Sequence, residues 1–264
     1  MLRTVTVHLE LATAGRTNMV FSMTPAIGAT IASESLQFSL DGVAQPFREV
    51  LDLHGSRLQL FETGRGTLAV DYSLEVLGRA DPAPVNELDL ITYARPSRYA
   101  QSDTLTPLAR YEFRGLTGYV LVQAISDWVF ERLAYIPGSS RPTDGATATL
   151  ENRAGVCRDF AHVTIALLRA MEIPARMASV YAPGLRPMDF HAVTEAYVDG
   201  AWWVVDSSRL APRSTLLRIA TGRDAADTAW LTSSWTDLSV SSMALTVAAD
   251  ELPFDDNYQR VQLG

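Results

Sequence analysis

The chain has 264 residues, of which 47% are hydrophobic and 20% charged, a composition typical of a globular protein with one large domain or two modest ones. Its 22 basic and 30 acidic residues give a net charge of -8, which argues against a nucleic-acid surface and gives no sign of attraction to anionic lipid. We expect a cytoplasmic protein, because no apolar stretch approaches the roughly 20 residues of a membrane helix, no signal peptide is visible, and the single cysteine excludes an internal disulfide.

The first 98 residues predict β structure. Apolar and polar residues alternate along residues 4–11, 57–61 and 67–76, and turn-forming pairs separate these runs. Several short strands without intervening helices indicate an N-terminal β-sandwich. We place a domain boundary after residue 98, giving units 1–98 and 99–264, although a linker at residues 80–86 is nearly as plausible. His8 and His54 lie in this region, and we interpret them as a half-exposed strand residue and the approach to a turn.

After this boundary the apolar spacing becomes helical. The sequence predicts helices at residues 116–133, 147–152 and 157–171, with Ile173-Pro174 ending the last one. Strands are predicted at residues 175–181, 190–198 and 201–206, and the last two are joined by Asp199-Gly200, a strong hairpin signal. A further strand at residues 241–249 could return to this core sheet.

Cys157 is the only cysteine and is predicted to begin a helix. The unpaired N–H groups and positive dipole end of a helix N-terminus favour a thiolate over a thiol. Gly155 would let the backbone pass close to a substrate, and the backbone N–H of Cys157 could donate to an oxyanion. A buried structural cysteine is an equally weighted alternative from position alone.

The predicted hairpin supplies partners for this thiol. If residues 199–200 form a two-residue turn, Val198 faces Ala201, and His191 shares a face with Asp206. Such diagonal neighbours lie roughly 7–8 Å apart at Cα, within reach of a His–Asp hydrogen bond that would fix the imidazole tautomer. Taken singly, His191 could be a strand-edge residue and Asp206 a strand-ending cap. A one-residue shift would place them on opposite faces.

Other polar residues near these positions receive structural interpretations. His162 lies five residues after Cys157, about 140° around the helix axis, so we expect it to pack rather than act as a base. Asp159 in the first helical turn favours the dipole, and Glu195 is expected to be polar scaffolding. One cysteine and four scattered histidines lack the spacing of metal ligands, and no cofactor is predicted.

The sequence also carries a family resemblance. Residues 155–162 read Gly-Val-Cys-Arg-Asp-Phe-Ala-His, and the matching segments that follow are Ile-Pro-Ala-Arg (173–176), His-Ala (191–192) and Val-Val-Asp (204–206). Together they resemble the bacterial transglutaminase-like superfamily, whose members are often described as cysteine proteases. The resemblance implies an α+β fold with an N-terminal β-sandwich and a papain-like core, in which a helix bearing the Cys packs on an antiparallel sheet bearing the His and Asp. It also implies a Cys-His-Asp triad, carried here by Cys157, His191 and Asp206.

The resemblance extends to residues 52–55, 95–99 and 222–227, with two departures near the triad. The family usually has Trp where this chain has Val193, and commonly has Pro after its Asp where this chain has Ser207. For the last segment, Thr221-Gly222 before a helix start, with Asp224 in its first turn, indicates ordinary capping. We prefer a buried Arg–Asp pair among Arg223, Asp224 and Asp227, holding the C-terminal segment, over a substrate role.

These observations predict a thiol-dependent acyl-transfer enzyme that acts on peptide or carboxamide bonds of a peptide or protein substrate. A thioester on Cys157 would be resolved by water in hydrolysis or by an amine in transamidation, and hydrolysis is slightly favoured because it needs no second-substrate site. A non-catalytic peptide-binding module that retains the fold is the alternative from a different class.

Overall fold

The computed structural model describes residues 1–234 and 237–264. Along the chain, a first group of strands is followed by a region that contains all the described helices together with further strands, and the last described elements are again strands. The strands are β1 (Leu2–Thr13), β2 (Thr17–Phe21), β3 (Thr30–Leu40), β4 (Val43–Gln45), β5 (Arg48–Leu51), β6 (Arg57–Thr63), β7 (Gly66–Leu77), β8 (Ala134–Tyr135), β9 (Ala154–Gly155), β10 (Ala175–Tyr181), β11 (His191–Val198), β12 (Ala201–Val205), β13 (Leu217–Gly222), β14 (Leu231–Ser234) and β15 (Leu238–Ala249). The helices are α1 (Glu87–Thr92), α2 (Ser102–Glu112), α3 (Gly118–Arg132), α4 (Ala146–Asn152), α5 (Cys157–Ala170) and α6 (Ala225–Thr228).

The N-terminal region forms two antiparallel sheets, with strand orders β15-β1-β7-β3-β4 and β14-β2-β6-β5. Alternate residues of β1, from Val5 to Leu11, are buried, and they share one apolar cluster with Phe21 of β2 and Phe61 of β6. Because strand side chains alternate between faces, this period of two buries one face of each sheet against the other. The predicted α+β fold with an N-terminal sandwich is confirmed.

Two strands near the C-terminus also lie in these sheets. β15 pairs antiparallel with β1, placing Val247 opposite Val5, and β14 pairs with β2. The expected return of residues 241–249 to the core sheet is therefore wrong. An alternating pattern identifies a strand but does not specify which sheet the strand joins. Here β15 pairs with β1 along almost the whole length of β1. The division into units 1–98 and 99–264 stays a prediction, and these late strands lie with the early ones.

The core contains an antiparallel sheet of order β12-β11-β10-β13, with α5 packed against it. Every residue of α5 from Asp159 to Ala170 is buried, because α2, α3 and α4 contact the helix as well as the sheet does. The hydrophobic spacing predicted α5 to within one residue. It did not predict α2, whose interior contains Pro107.

None of the helices in the described part of the chain combines the length and apolar character needed to cross a lipid bilayer.

Candidate active site

Cys157 is the first residue of α5, after Val156, which has extended backbone angles. The carboxylate of Asp159 accepts hydrogen bonds from the backbone N–H of Val156 at 2.8 Å and from Ser140 Oγ at 2.5 Å. Asp159 therefore fixes the start of the helix, in agreement with its predicted structural role. As the first helical residue, Cys157 has a backbone N–H with no partner inside the helix.

Gly155 is required to be glycine by its neighbour Asp159. A Cβ added to Gly155 would lie 2.5 Å from the Cβ of Asp159, closer than side chains can pack. The small residue therefore makes room for the side chain that caps α5, and its expected closeness to a substrate stays a prediction.

The hairpin that carries His191 and Asp206 has the predicted register. Val198 pairs with Ala201 across a turn in which Asp199 has a φ of 53° and Gly200 a φ of 82°, both in the left-handed region that a tight two-residue turn requires. This register places the two predicted site residues on one face of the sheet.

His191 and Asp206 are hydrogen-bonded to each other. The distance between Nε2 of His191 and Oδ2 of Asp206 is 2.8 Å, and both side chains are almost completely buried. The other carboxylate oxygen, Oδ1, accepts from the backbone N–H of Ser208 at 3.0 Å and from its hydroxyl at 2.6 Å. Both oxygens of Asp206 are therefore engaged, which holds the carboxylate in one orientation against the imidazole.

The environment favours the charged form of this pair. Burial lowers the pKa of His191, but the carboxylate of Asp206, its hydrogen bond and the neighbouring Cys157 outweigh burial and raise that pKa well above its ordinary value. Burial raises the pKa of Asp206, and the attraction and hydrogen bond of His191 together with Ser208 outweigh it, so the net shift is downward. Each partner therefore stabilises the charge of the other.

Cys157 lies beside the start of the strand that carries His191. Its thiol donates to the carbonyl oxygen of Phe190, the residue before His191, with an Sγ–O distance of 3.8 Å. Nδ1 of His191 is buried and has no hydrogen-bond partner among the described residues. Because Nε2 is held by Asp206, Nδ1 is the atom left to exchange a proton with the thiol. Cys157 as a residue is partly exposed.

His162 lies outside this group, as expected. It is completely buried, stacks on Tyr99 with ring centroids 5.2 Å apart, and accepts a hydrogen bond at Nε2 from the backbone N–H of Ala225 at 3.2 Å. Burial, which is only partly offset by Asp224, lowers the pKa of His162 to about 3. A histidine held neutral and committed to a backbone N–H is a packing residue.

Glu195 forms the buried scaffolding predicted for it. Its carboxylate binds Arg176 at 2.8 Å and Arg218 at 2.7 Å, and Arg176 also lies over the ring of Trp202 at 4.0 Å. Burial raises the pKa of Glu195, but the two guanidinium groups lower it to about 2. This network joins three neighbouring strands of the core sheet, β11, β10 and β13.

The two histidines of the sandwich have local partners. His8 is a half-exposed strand residue whose Nδ1 lies 2.7 Å from Oδ1 of Asp71 on the paired strand. His54 lies in a turn, with Nε2 2.6 Å from the hydroxyl of Tyr93. Both interpretations from sequence agree with these contacts.

The segment after β13 differs from expectation in one respect. Arg223 and Asp227 form the predicted ion pair at 2.8 Å, but their side chains are 55% and 27% exposed, so the pair is not buried. Four residues apart at the start of α6, they meet at the surface. Asp224 caps α6 by accepting from the backbone N–H of Ala226 at 2.9 Å, and it also accepts from that of Tyr99 at 2.8 Å.

The structure explains how the chain accommodates the two departures beside the site. Val193 is buried in an apolar cluster with Ala178 and Val204 rather than exposed beside the imidazole. The hydroxyl of Ser207 lies 2.8 Å from Oγ1 of Thr164 on α5, which anchors the chain after Asp206 to the cysteine-bearing helix.

Sequence reasoning did not identify two residues beside the site. Ser208 orients Asp206, and Tyr135 pairs with Gly155, two residues before Cys157, as described below. The Asp-Ser-Ser run was a signal for the first, since an Asp side chain in a turn commonly accepts a hydrogen bond from the backbone N–H two residues later, as Asp206 does from Ser208. A two-residue strand such as β8 is too short for periodicity to detect.

Two clefts of about 260 and 250 Å³ lie between loops of the sandwich and the core sheet, and neither includes Cys157. Within residues 1–234 and 237–264, no group of three or more His, Cys, Asp or Glu side chains is arranged to hold a metal ion.

A helix that begins at a cysteine and packs on an antiparallel sheet bearing a His–Asp pair defines a papain-like α+β core. Residues 114–207 match the transglutaminase-like superfamily. The crystal structure of a protein described as a putative cysteine protease from Cytophaga hutchinsonii is similar over 97% of this chain and 92% of that chain, with a TM-score of 0.87 and 33% sequence identity. The chain therefore belongs to the transglutaminase-like superfamily.

Two further similarities are more limited. An uncharacterized protein of Mycobacterium leprae is 32% identical over 117 residues, and the match spans 41% of this chain but only 42% of that protein. The periplasmic domain of TgpA from Pseudomonas aeruginosa is 18% identical, with a TM-score of 0.43 over 76% of this chain and 86% of that chain.

Proposed function

We propose that the protein is a thiol-dependent acyl-transfer enzyme acting on peptide or carboxamide bonds, with Cys157 as nucleophile, His191 as base and acid, and Asp206 as the group that orients His191. The observation that carries the proposal is the 2.8 Å bond between Nε2 of His191 and Asp206, because it leaves Nδ1 of a buried imidazole free beside the thiol.

The chemistry follows from these positions. The thiol proton passes to Nδ1 of His191, and the sulfur of Cys157 attacks the carbonyl carbon, forming a C–S bond. Asp206 stabilises the imidazolium without taking its proton. The proton then passes to the leaving amine as the C–N bond breaks, and a thioester remains. Water activated by His191 hydrolyses the thioester, or an amine displaces it.

We favour hydrolysis over transamidation. The similarity to the Cytophaga protein, which is described as a putative cysteine protease, supports this choice, and hydrolysis needs no binding site for a second substrate. The alternative, a transglutaminase joining a glutamine carboxamide to an amine, uses the same three side chains. The two differ only in which nucleophile reaches the thioester.

A non-catalytic peptide-binding module is less well supported. Such a module gains nothing from burying an ion pair beside a thiol, because removing two charges from water carries a desolvation cost of several kcal/mol per ion. The partner in either case is a peptide or protein, and the predicted cytoplasmic location remains part of this proposal.

Mass spectrometry of the intact protein tests the proposal directly. The chain contains no lysine, so its only amine is the N-terminal α-amino group, and background acylation is small. After incubation with glutamine-containing peptides and a small primary amine, we expect an acyl adduct on Cys157, and shortened or deamidated peptides as the main products. Amine-labelled peptides would instead support transamidation. No adduct and no altered peptide, across a broad peptide mixture, would contradict the proposal.

A further inference from the structure

Tyr135 has a fixed backbone position beside the nucleophile. β8 and β9 form a short parallel ladder in which Tyr135 pairs with Gly155, two residues before Cys157. The backbone N–H of Ile136 donates to the carbonyl of Gly155 at 3.0 Å, and that of Ala134 donates to Arg153 at 2.9 Å. The ladder therefore connects Tyr135 to the segment that enters α5.

The ring of Tyr135 lies along the start of this helix. It packs on Phe160, with ring centroids 5.8 Å apart and an interplanar angle of 47°. Phe160 is buried and lies three residues after Cys157, almost one helical turn away. The ladder and this ring contact together place the phenol beside the start of α5, close enough for Cys157 to influence its titration.

The phenol keeps its proton at neutral pH. Burial is the largest cause that raises the pKa of Tyr135, and the nearby Cys157 and Asp189 raise it further, against a smaller opposing effect of the Cys157 backbone N–H. A protonated phenol beside a thiol nucleophile is a hydrogen-bond donor.

We propose that the hydroxyl of Tyr135 is the second donor of the oxyanion hole, beside the backbone N–H of Cys157. This inference rests on the function proposed above. When the sulfur attacks, the C–S bond forms and the carbonyl π pair moves to oxygen, which accepts hydrogen bonds from both donors. When the C–N bond breaks, the pair returns to form the thioester carbonyl, and Tyr135 retains its proton throughout.

The second donor has to lie outside α5, because the N-terminus of this helix directs the backbone N–H of Cys157 at the developing charge from one side only. Donors aimed where charge develops stabilise the transition state most, and loss of one typically lowers kcat by about 10²–10³-fold. Tyr135 supplies a second direction from a strand fixed to the same segment.

The test compares two reactions of the same sulfur in the Tyr135→Phe variant. Acylation by 4-nitrophenyl acetate proceeds through a tetrahedral oxyanion, whereas alkylation by iodoacetamide displaces iodide and forms no oxyanion. Removing only the hydroxyl keeps the ring on Phe160, so the fold is retained, and thermal unfolding checks this. Tyr111→Phe is the matched control, because Tyr111 is 72% exposed on α2.

We expect Tyr135→Phe to slow acylation of Cys157 by about 10²-fold while leaving the alkylation rate unchanged, and Tyr111→Phe to change neither. Unchanged acylation in Tyr135→Phe would overturn the inference. An equal slowing of both reactions would also overturn it, because Tyr135 would then act on the reactivity of the thiol. If the parent protein reacts with iodoacetamide but is not acylated, the proposed function itself fails, and this inference fails with it.

Discussion

Replacing Asp206 by Asn tests the central pair of the site with almost no change in shape. The amide oxygen can keep the two hydrogen bonds from Ser208, at 3.0 and 2.6 Å, so the local chain should remain in place. The amide N–H2 group then faces Nε2 of His191, where the carboxylate oxygen lay at 2.8 Å. Nε2 must accept rather than donate, and the proton of the neutral ring moves to Nδ1.

The expected loss follows from that change of tautomer. An imidazole protonated at Nδ1 cannot take the proton of Cys157. Without the carboxylate of Asp206, the strongest influence that raises the pKa of His191 is lost, and burial, which lowers that pKa, is opposed only by the weaker effect of Cys157. We expect Asp206→Asn to reduce acyl transfer by about 10³–10⁴-fold, as for other triads converted to the wrong tautomer. Its effect on the free energy of unfolding should be smaller, about 1–3 kcal/mol, because one charged hydrogen bond is replaced by a neutral one.

The assay is acylation of Cys157 by 4-nitrophenyl acetate, followed by intact-mass spectrometry, with urea unfolding measured in parallel. Asp227→Asn is the matched control, because it removes a carboxylate from the partly exposed pair with Arg223. An acylation rate within a few-fold of the parent in Asp206→Asn would refute the reasoning, since it would show that the imidazole does not depend on the carboxylate.

Three further predictions concern the nucleophile and the buried charges. Cys157→Ala should abolish turnover and leave thermal unfolding nearly unchanged; loss of folding without any activity in the parent would favour a structural cysteine. Glu195→Gln should lower the free energy of unfolding by about 3–5 kcal/mol in urea titrations, because it leaves two buried or nearly buried guanidinium groups short of a counter-charge. Glu62→Gln, in an exposed pair, should change that free energy by less than about 1 kcal/mol. Equal effects of the two substitutions would contradict this account. The pKa of His162 is lowered to about 3, so between about pH 6.5 and 3 the unfolded chain binds a proton that the folded protein does not, and the folded protein loses stability as the pH falls. His162→Gln should lose less stability across that range in urea titrations. Parallel stability curves for the two proteins would contradict this prediction.

The local pattern of the sequence was sufficient to predict the hairpin geometry. The Asp199-Gly200 pair specifies a two-residue turn, and a period of two then determines which side chains share a face, so the proximity of His191 to Asp206 followed from counting residues. The start of α5 at Cys157 was likewise predictable, because the helical apolar spacing begins there.

The unpredicted features depend on contacts between distant segments. The pairing of β15 with β1 joins the two ends of the chain, and the alternating pattern of β15 suits an edge of either region. The exposure of Arg223 depends on where α6 lies on the surface, which no local pattern specifies. Tyr135 reaches Cys157 through a two-residue ladder, which carries no periodic signal at all.

The most direct test of the account is the pH dependence of Cys157 alkylation by iodoacetamide in the parent and in His191→Ala. Asp206 and Cys157 outweigh burial and raise the pKa of His191, so the site favours the charged ring, and a charged ring would stabilise a thiolate beside it. We expect the parent to alkylate in less alkaline solution than His191→Ala, which should require a higher pH for the same rate. Identical profiles for the two proteins would show that the imidazole and the sulfur do not act together, and would contradict the account.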